Sequence, residues 1–419
     1  MTERRYSDLS PSPRIILTPG PVEVDPRVSR ALSYPMLGQF DPEFTALMNE
    51  TMQMLRDLFR TSNRWAYPID GTSRSGLEAV LTGLIEPGDR VLVPIFGRFG
   101  YLLAELSERC GAEVVTIETA WGTVFEPADV IEAIDSEKPS LVAIVHGETS
   151  TGRVQPLHEI GRACRDRDIL LVVDAVATVG GMPVETDAWL LDAVIGGTQK
   201  CLSVPSGMAP ITYNDRVERK LMRRKRIEKG IRPEDDKDAD APAAFIRSNY
   251  FDLTQLQDYW SPLRLNHHTE ATAMLYGLRE GLRLVLEEGL EARFARHRLH
   301  ERALVAGLDA MGLTLYGDDS CKMTVVTCVR IPAGVDGEAV RSQLLADFGI
   351  EIASSFGPLK GQIWRIGTMG YSCRKSNVLL GLAALEAMLP LHGAAITTGS
   401  AVKAALAIYE EAKGAMPDA

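Results

Sequence analysis

Several signals that would fix the class of this 419-residue chain early are missing from it. No apolar run is long enough to span a bilayer. The first residues, Met-Thr-Glu-Arg-Arg-Tyr-Ser-Asp, carry no apolar secretory segment, so a cytoplasmic protein is expected. The six cysteines (Cys110, Cys164, Cys201, Cys321, Cys328 and Cys373) are scattered and form no CxxC pair. Neither a zinc site nor a disulfide framework is indicated, and a reducing compartment fits. Basic charge is in deficit: 45 Lys and Arg stand against 56 Asp and Glu, a net charge of −11, which argues against nucleic acid as a partner. The seven histidines contain no HExxH pattern. The adjacent pair His267-His268 would diverge on a helix, so no metal is expected. There is no GKS/T phosphate loop, no GxGxxG, no internal repeat and no low-complexity segment.

What is present reads as a globular α/β enzyme, with 45% apolar and 24% charged residues. Strand patterns fall at Trp65–Ile69, Arg90–Pro94, Glu113–Ile117, Leu141–Val145, Ile169–Val173, Asp192–Ile195 and Met208–Tyr213. Amphipathic stretches separate most of them, as expected of a mostly parallel sheet covered by helices. A charged stretch, Arg216 to Asp240, reads as a solvated helix followed by a mobile surface loop, because acids follow its bases directly. Long helical patterns follow at Thr269–Leu286 and Glu291–Met311. The pattern then changes to strand Met323–Ile331, helix Gly337–Phe348, strands Ile350–Ser354 and Gln362–Gly367, and helix Lys375–Met388. That is a compact α+β unit, and Ser400–Ala412 adds a helical tail.

The segment "IGGTQKCLSVPSGMAPITY" (195–213) places Lys200 in a loop between two apolar strands. A buried amine is costly unless it is paired, neutral or covalently bonded. Asp174 ends the apolar run Leu170-Leu-Val-Val-Asp174, one strand earlier. Ligands of parallel α/β sheets bind beyond the carboxyl ends of the strands, although a lone acid there also serves as a helix cap. Asp70-Gly-Thr-Ser-Arg-Ser-Gly76 lies between a strand and a helix and could cup a phosphate at the helix N-terminus, or be an ordinary capped turn. Together a phosphate cup, a strand-end acid and a loop lysine meet the needs of pyridoxal phosphate.

These residues carry a family resemblance. The stretches "LTPGPVEVDPRV" (17–28), "DGTSRSGLEAVL" (70–81), "HGETSTG" (146–152), "VVDAVATVGG" (172–181), "GGTQKCLSVPSG" (196–207), "HHTEAT" (267–272) and "WRIGTMG" (364–370) follow in order along nearly the whole chain. The chain resembles the class V aminotransferases of the fold-type I pyridoxal-phosphate superfamily. Within them it is similar to the alanine/serine–glyoxylate branch, and most of all to the members acting on (S)-ureidoglycine, through "GQFDPEFT" (38–45) and "LNHHTEAT" (265–272).

The resemblance implies an N-terminal arm (1–28), a large cofactor domain with a mostly parallel mixed sheet (29–288), a small C-terminal α+β domain (289–395) and a helical tail (396–419). Lys200 would bond covalently to pyridoxal phosphate and Asp174 would pair with its ring nitrogen. Thr72, Ser73, Arg74 and Gln199 would hold the phosphate, joined by Thr269 from the second subunit of a homodimer, with a tetramer possible. Phe96 would stack on the ring, Val176 would cover its other face, and Thr149 would hydrogen-bond the ring hydroxyl. Arg365 would bind the substrate carboxylate, and Gly20, in Pro-Gly-Pro, would present backbone to the substrate.

Two positions depart from the alanine–glyoxylate pattern: Asn266 replaces its tyrosine, and Gln39 replaces a serine or histidine. Both are primary amides that donate and accept, as a ureido group does. The implied reaction moves the amino group of (S)-ureidoglycine to glyoxylate, giving oxalurate and glycine. The alternatives are an alanine– or serine–glyoxylate aminotransferase, a cysteine desulfurase-like lyase, and a cofactor-free scaffold or nucleic-acid binder with its basic helix near 216–229.

Overall fold

A computed structural model describes residues 6–231 and 244–414. The acidic part of the charged stretch, 234–238, lies outside the described residues. The basic part opens on a helix, Asp215–Met222, capped by the Asn214 side chain.

A seven-stranded sheet forms the centre. Its strands are β1 (Trp65–Gly71), β2 (Arg90–Ile95), β3 (Glu113–Glu118), β4 (Leu141–Val145), β5 (Leu170–Asp174), β6 (Ala193–Ile195) and β7 (Gly207–Tyr213). Their order is β1-β7-β6-β5-β4-β2-β3, and only β7 runs antiparallel to its neighbours. All seven strands read from the sequence are present. The runs β4 and β5 are buried along their whole length, as expected for strands covered on both faces.

Helices α1 (Pro42–Phe59), α2 (Ser73–Leu84), α3 (Arg98–Arg109) and α4 (Thr272–Glu288) pack around this sheet. The start of α1 is set locally: Asp41 accepts from the Glu43 N–H at 2.7 Å and Pro42 occupies the first turn. On α1, Phe44, Met48, Leu55 and Phe59 are buried and recur at helical spacing.

The long helix α5 (Leu290–Ala310) leaves the first core with Leu290 and Phe294 and enters a second with Ala303, Leu304 and Leu308. The second core also takes α6 (Gly337–Phe348), α7 (Lys375–Met388) and α8 (Ala401–Gly414). Its antiparallel sheet runs β8-β10-β9, from β8 (Val326–Arg330), β9 (Ala353–Ser354) and β10 (Ile363–Gly367). The single strand expected over Ile350–Ser354 is divided. Ile350–Glu351 pairs in parallel with Ile15–Ile16 of the arm, whereas β9 pairs with β10. Leu17 continues the arm into the second core. The arm thus runs from the C-terminal unit back toward the ends of the large sheet. Among the described residues, no helix is long and apolar enough to cross a membrane.

Candidate active site

Beyond the carboxyl ends of β5 and β6 lies a cavity of about 240 Å³, lined by Thr72, Ser73, Arg74, Thr149, Asp174, Val176, Gln199 and Lys200 among others. Eight residues expected to meet a cofactor are therefore brought together from four separate chain segments. Arg98, Phe99 and Leu102, from the first turns of α3, complete one wall.

Each side chain is placed by its element. Asp174 is the last residue of β5 and is buried; one carboxylate oxygen accepts from the Val176 N–H at 3.0 Å. Burial pushes its pKa up to about 6, opposed by that N–H, and Glu148 adds a further raising charge. A cationic N–H facing it would favour the carboxylate. Lys200 follows β6, and its Nζ donates to the Pro19 carbonyl of the arm. Burial, then the charge of Arg365, push the amine down to about 8. Gly20 lies against the same side chain: a Cβ there would sit 2.5 Å from Lys200 Cδ, and its φ of +106° is one that glycine tolerates.

The cup is the start of α2. Thr72 occupies the cap position but makes no side-chain cap bond, so the first N–H groups of α2 are left for an anion. Gln199 donates through Nε2 to the Ser73 hydroxyl at 3.0 Å and lies beside them. Gly197 keeps the floor open, because a Cβ there would fall 2.6 Å from Val176 Cγ1 and 2.7 Å from Ser73 Oγ. An anion cup, a buried acid and a half-buried amine around one cavity fit pyridoxal phosphate.

Other expected residues stand elsewhere. Phe96 is fully buried and outside the cavity lining, one residue beyond β2; Phe99 is the aromatic on the wall. Arg365, on β10, lines an adjoining cleft with Thr18, Ser354 and Phe356. It donates from Nη1 to the Thr149 carbonyl at 3.0 Å and from Nε to the Ser354 carbonyl at 2.7 Å. No hydrogen bond engages its Nη2 among the described residues. Burial lowers its pKa to about 10, still a cation at neutral pH. Gln39, Asn266 and Thr269 do not line this cavity. Gln39 donates from Nε2 to Asn266 Oδ1 at 2.9 Å and accepts from the Glu270 N–H at 3.2 Å, while Asn266 and Thr269 are exposed. Behind them His268 meets Asp70 at 3.2 Å, tying the 265–271 loop to the base of the cup.

Sequence reasoning passed over Arg98, Phe99 and Glu148. Glu148 lies inside the quoted "HGETSTG" stretch, and α3 opens on Gly97 without any capping side chain. A helix start that lacks its own cap asks for one from elsewhere. None of the six cysteines lines the cavity; five are buried.

Residues 29–230 match the aminotransferase class-V family. The chain is 67% identical over 399 residues to the (S)-ureidoglycine–glyoxylate transaminase of Bacillus subtilis (strain 168), covering 95% of this chain and 96% of that protein. It is 35% identical to the alanine–glyoxylate aminotransferase of Callithrix jacchus, covering 91% and 89%. The crystal structure of ureidoglycine–glyoxylate aminotransferase from Bacillus subtilis superimposes with a TM-score of 0.91 at 65% identity, over 96% of this chain and all of that one. The chain belongs to the class V aminotransferases, pyridoxal-phosphate enzymes of fold-type I.

Proposed function

We propose that this aminotransferase moves the amino group of (S)-ureidoglycine to glyoxylate, giving oxalurate and glycine in purine (allantoin) breakdown. The observation that carries the reading is the 67% identity, over nearly both full chains, to a protein named for that reaction. An alanine– or serine–glyoxylate aminotransferase is the second reading, supported by the 35% identical relative.

When bound, pyridoxal phosphate supplies the aldehyde that accepts the amino group and the electron-poor ring that lets the donor Cα–H ionise. Thr72, Ser73, Arg74 and Gln199 would hold its phosphate, Asp174 its ring nitrogen and Thr149 its ring hydroxyl. Val176 and Phe99 would face the ring, with Phe96 supporting the wall from behind. Lys200 Nζ takes the proton from the donor Cα, and an amine poised near pH 8 suits a base at neutral pH. Arg365 orients the carboxylate shared by both substrates through its remaining N–H groups. Gly20 leaves room for Lys200 to move and turns arm backbone toward the substrate.

Gln39, Asn266 and Thr269 serve the neighbouring site of a homodimer in this reading, which their place outside their own cavity supports. A tetramer of two such dimers is compatible with it. The amide pair reads the ureido group. The arm (1–28), cofactor domain (29–288), small domain (289–395) and tail (396–419) work as one cytoplasmic enzyme. The test is isotopic: nitrogen-15 from the α-amino group of ureidoglycine must appear in glycine, with one oxalurate formed per glycine. Retention of label in the donor products sinks the reading.

A further inference from the structure

Glu148 is fully buried, and every hydrogen bond described for its carboxylate is accepted. One oxygen accepts from the Ser150 N–H at 2.9 Å and the Ser150 hydroxyl at 2.6 Å; the other accepts from the Phe99 N–H at 2.8 Å. The Ser150 hydroxyl itself accepts from the Arg98 N–H at 3.1 Å. Burial pushes the pKa of Glu148 up, and the Ser150 hydroxyl, the Ser150 and Phe99 N–H groups and the charge of Arg365 oppose this by favouring the carboxylate.

The sequence explains why it sits there. Helix α3 begins after Gly97, which has no side chain with which to cap it. Glu148 and Ser150 supply the missing cap from 49 and 52 residues away. Gly97 in turn is required, since a Cβ there would lie 2.3 Å from Glu148 Cγ. The helix dipole favours the anion at this end. The same short loop reaches the second core: Arg365 donates to the Thr149 carbonyl, and the Ser355 hydroxyl donates to the Ser150 carbonyl at 2.8 Å. The titratable groups within the field of Glu148 are Asp174, Lys200, Arg365 and the Cys328 thiol.

We propose that Glu148 is a positioning residue of the transamination site. It fixes Thr149 and the Arg98–Leu102 wall, and it holds a negative charge beside Lys200, Asp174 and Arg365. The proposal rests on the aminotransferase reading. Its charge favours the protonated form of the amine at Lys200, so removing that charge lowers the pH at which the proton leaves.

The test compares Glu148→Gln and Glu148→Asp with wild type in the full chain. Three quantities are read: the pH midpoint of the bound cofactor's visible absorption, the affinity for pyridoxal phosphate by fluorescence, and kcat and KM for both substrates. A wild type that binds no pyridoxal phosphate refutes the aminotransferase reading before any variant is compared. Glu148→Gln keeps the volume but sets an amide N–H₂ against one of the donors. Its absorption midpoint should fall by about half to one pH unit. Its kcat should fall by roughly tenfold or more, while KM moves less. Glu148→Asp keeps the charge but retreats from the Phe99 N–H. Its midpoint should stay while kcat falls. A wild-type midpoint and kcat in Glu148→Gln overturns the proposal. So does a loss confined to melting temperature, with unchanged kcat per bound cofactor. If Glu148→Gln does not fold, Glu148→Asp decides, and an unchanged kcat there also overturns it.

Discussion

Lys200 Nζ donates to the backbone carbonyl of Pro19, a residue 181 positions earlier in the chain. One contact thus joins the loop after β6 to an arm anchored in the second core through the Ile15–Ile350 and Ile16–Glu351 pairs. The amine of Lys200, which lines the cavity, is held by the N-terminal arm.

Lys200→Ala should keep the fold and abolish transamination. The wild type should be yellow with pyridoxal phosphate, and borohydride should fix the cofactor on Lys200. Peptide mapping checks this. Fixation on another lysine, or full activity in the alanine variant, contradicts the assignment.

Arg365→Ala should weaken the amino donor and glyoxylate together, because both carry the carboxylate. Loss of a buried charged contact costs about 2–5 kcal/mol. Arg365→Lys should rescue poorly: the ammonium offers a point charge, and cannot also bridge the Ser354 and Thr149 carbonyls as the fork does. Steady-state kinetics with each substrate varied in turn decides it. A loss for one substrate only contradicts a shared site.

Asp174 gives a stability prediction with a definite sign. Its folded pKa of about 6 lies above its ordinary value of 3.8. Below pH 4 the acid is protonated folded or unfolded, and burial costs nothing extra. Between about pH 4 and 6 the unfolded chain gives up this proton while the folded state still holds it, so stability falls with rising pH and levels off above 6, where the folded state carries the buried charge. In the cofactor-free protein, Asp174→Asn should therefore be more stable than wild type at pH 8, by on the order of 3 kcal/mol, with the gap closing near pH 4. Denaturant melts across that range check it. The same variant should lose most activity. Equal stability at both pH values contradicts the buried-carboxylate account.

Asn266→Tyr and Gln39→Ser should depress use of ureidoglycine more than use of alanine. Each removes a partner from a polar substrate, worth about 1–3 kcal/mol. The two amides hydrogen-bond each other, so their effects should not add. Specificity constants for both donors, at fixed glyoxylate and with cofactor occupancy measured, are the readout. An unchanged ratio removes the amides from donor selection.

Much of this architecture was legible because local pattern and tertiary placement agree. The strands of the large sheet announce themselves as short apolar runs, and Asp174 and Lys200 stand at two adjacent strand ends. Other features depend on contacts that no local pattern encodes. The break within Ile350–Ser354 arises because the arm pairs with its first half and β10 with its second. Phe96 and Phe99 are both aromatics of "IFGRFG"; only the chain direction after Ile95 decides that Phe96 enters the core and Phe99 the wall. Glu148 looks like one polar loop residue among several until α3 is seen to start without its own cap. Gln39, Asn266 and Thr269 lie outside the cavity lined by their own chain, a separation that no local pattern encodes.

The most direct test is the donor preference of the purified enzyme loaded with pyridoxal phosphate and supplied with glyoxylate. The kcat/KM for (S)-ureidoglycine should exceed those for alanine and serine by at least about tenfold, the scale on which one satisfied polar contact discriminates between substrates. Equal or higher values for alanine or serine would contradict the account.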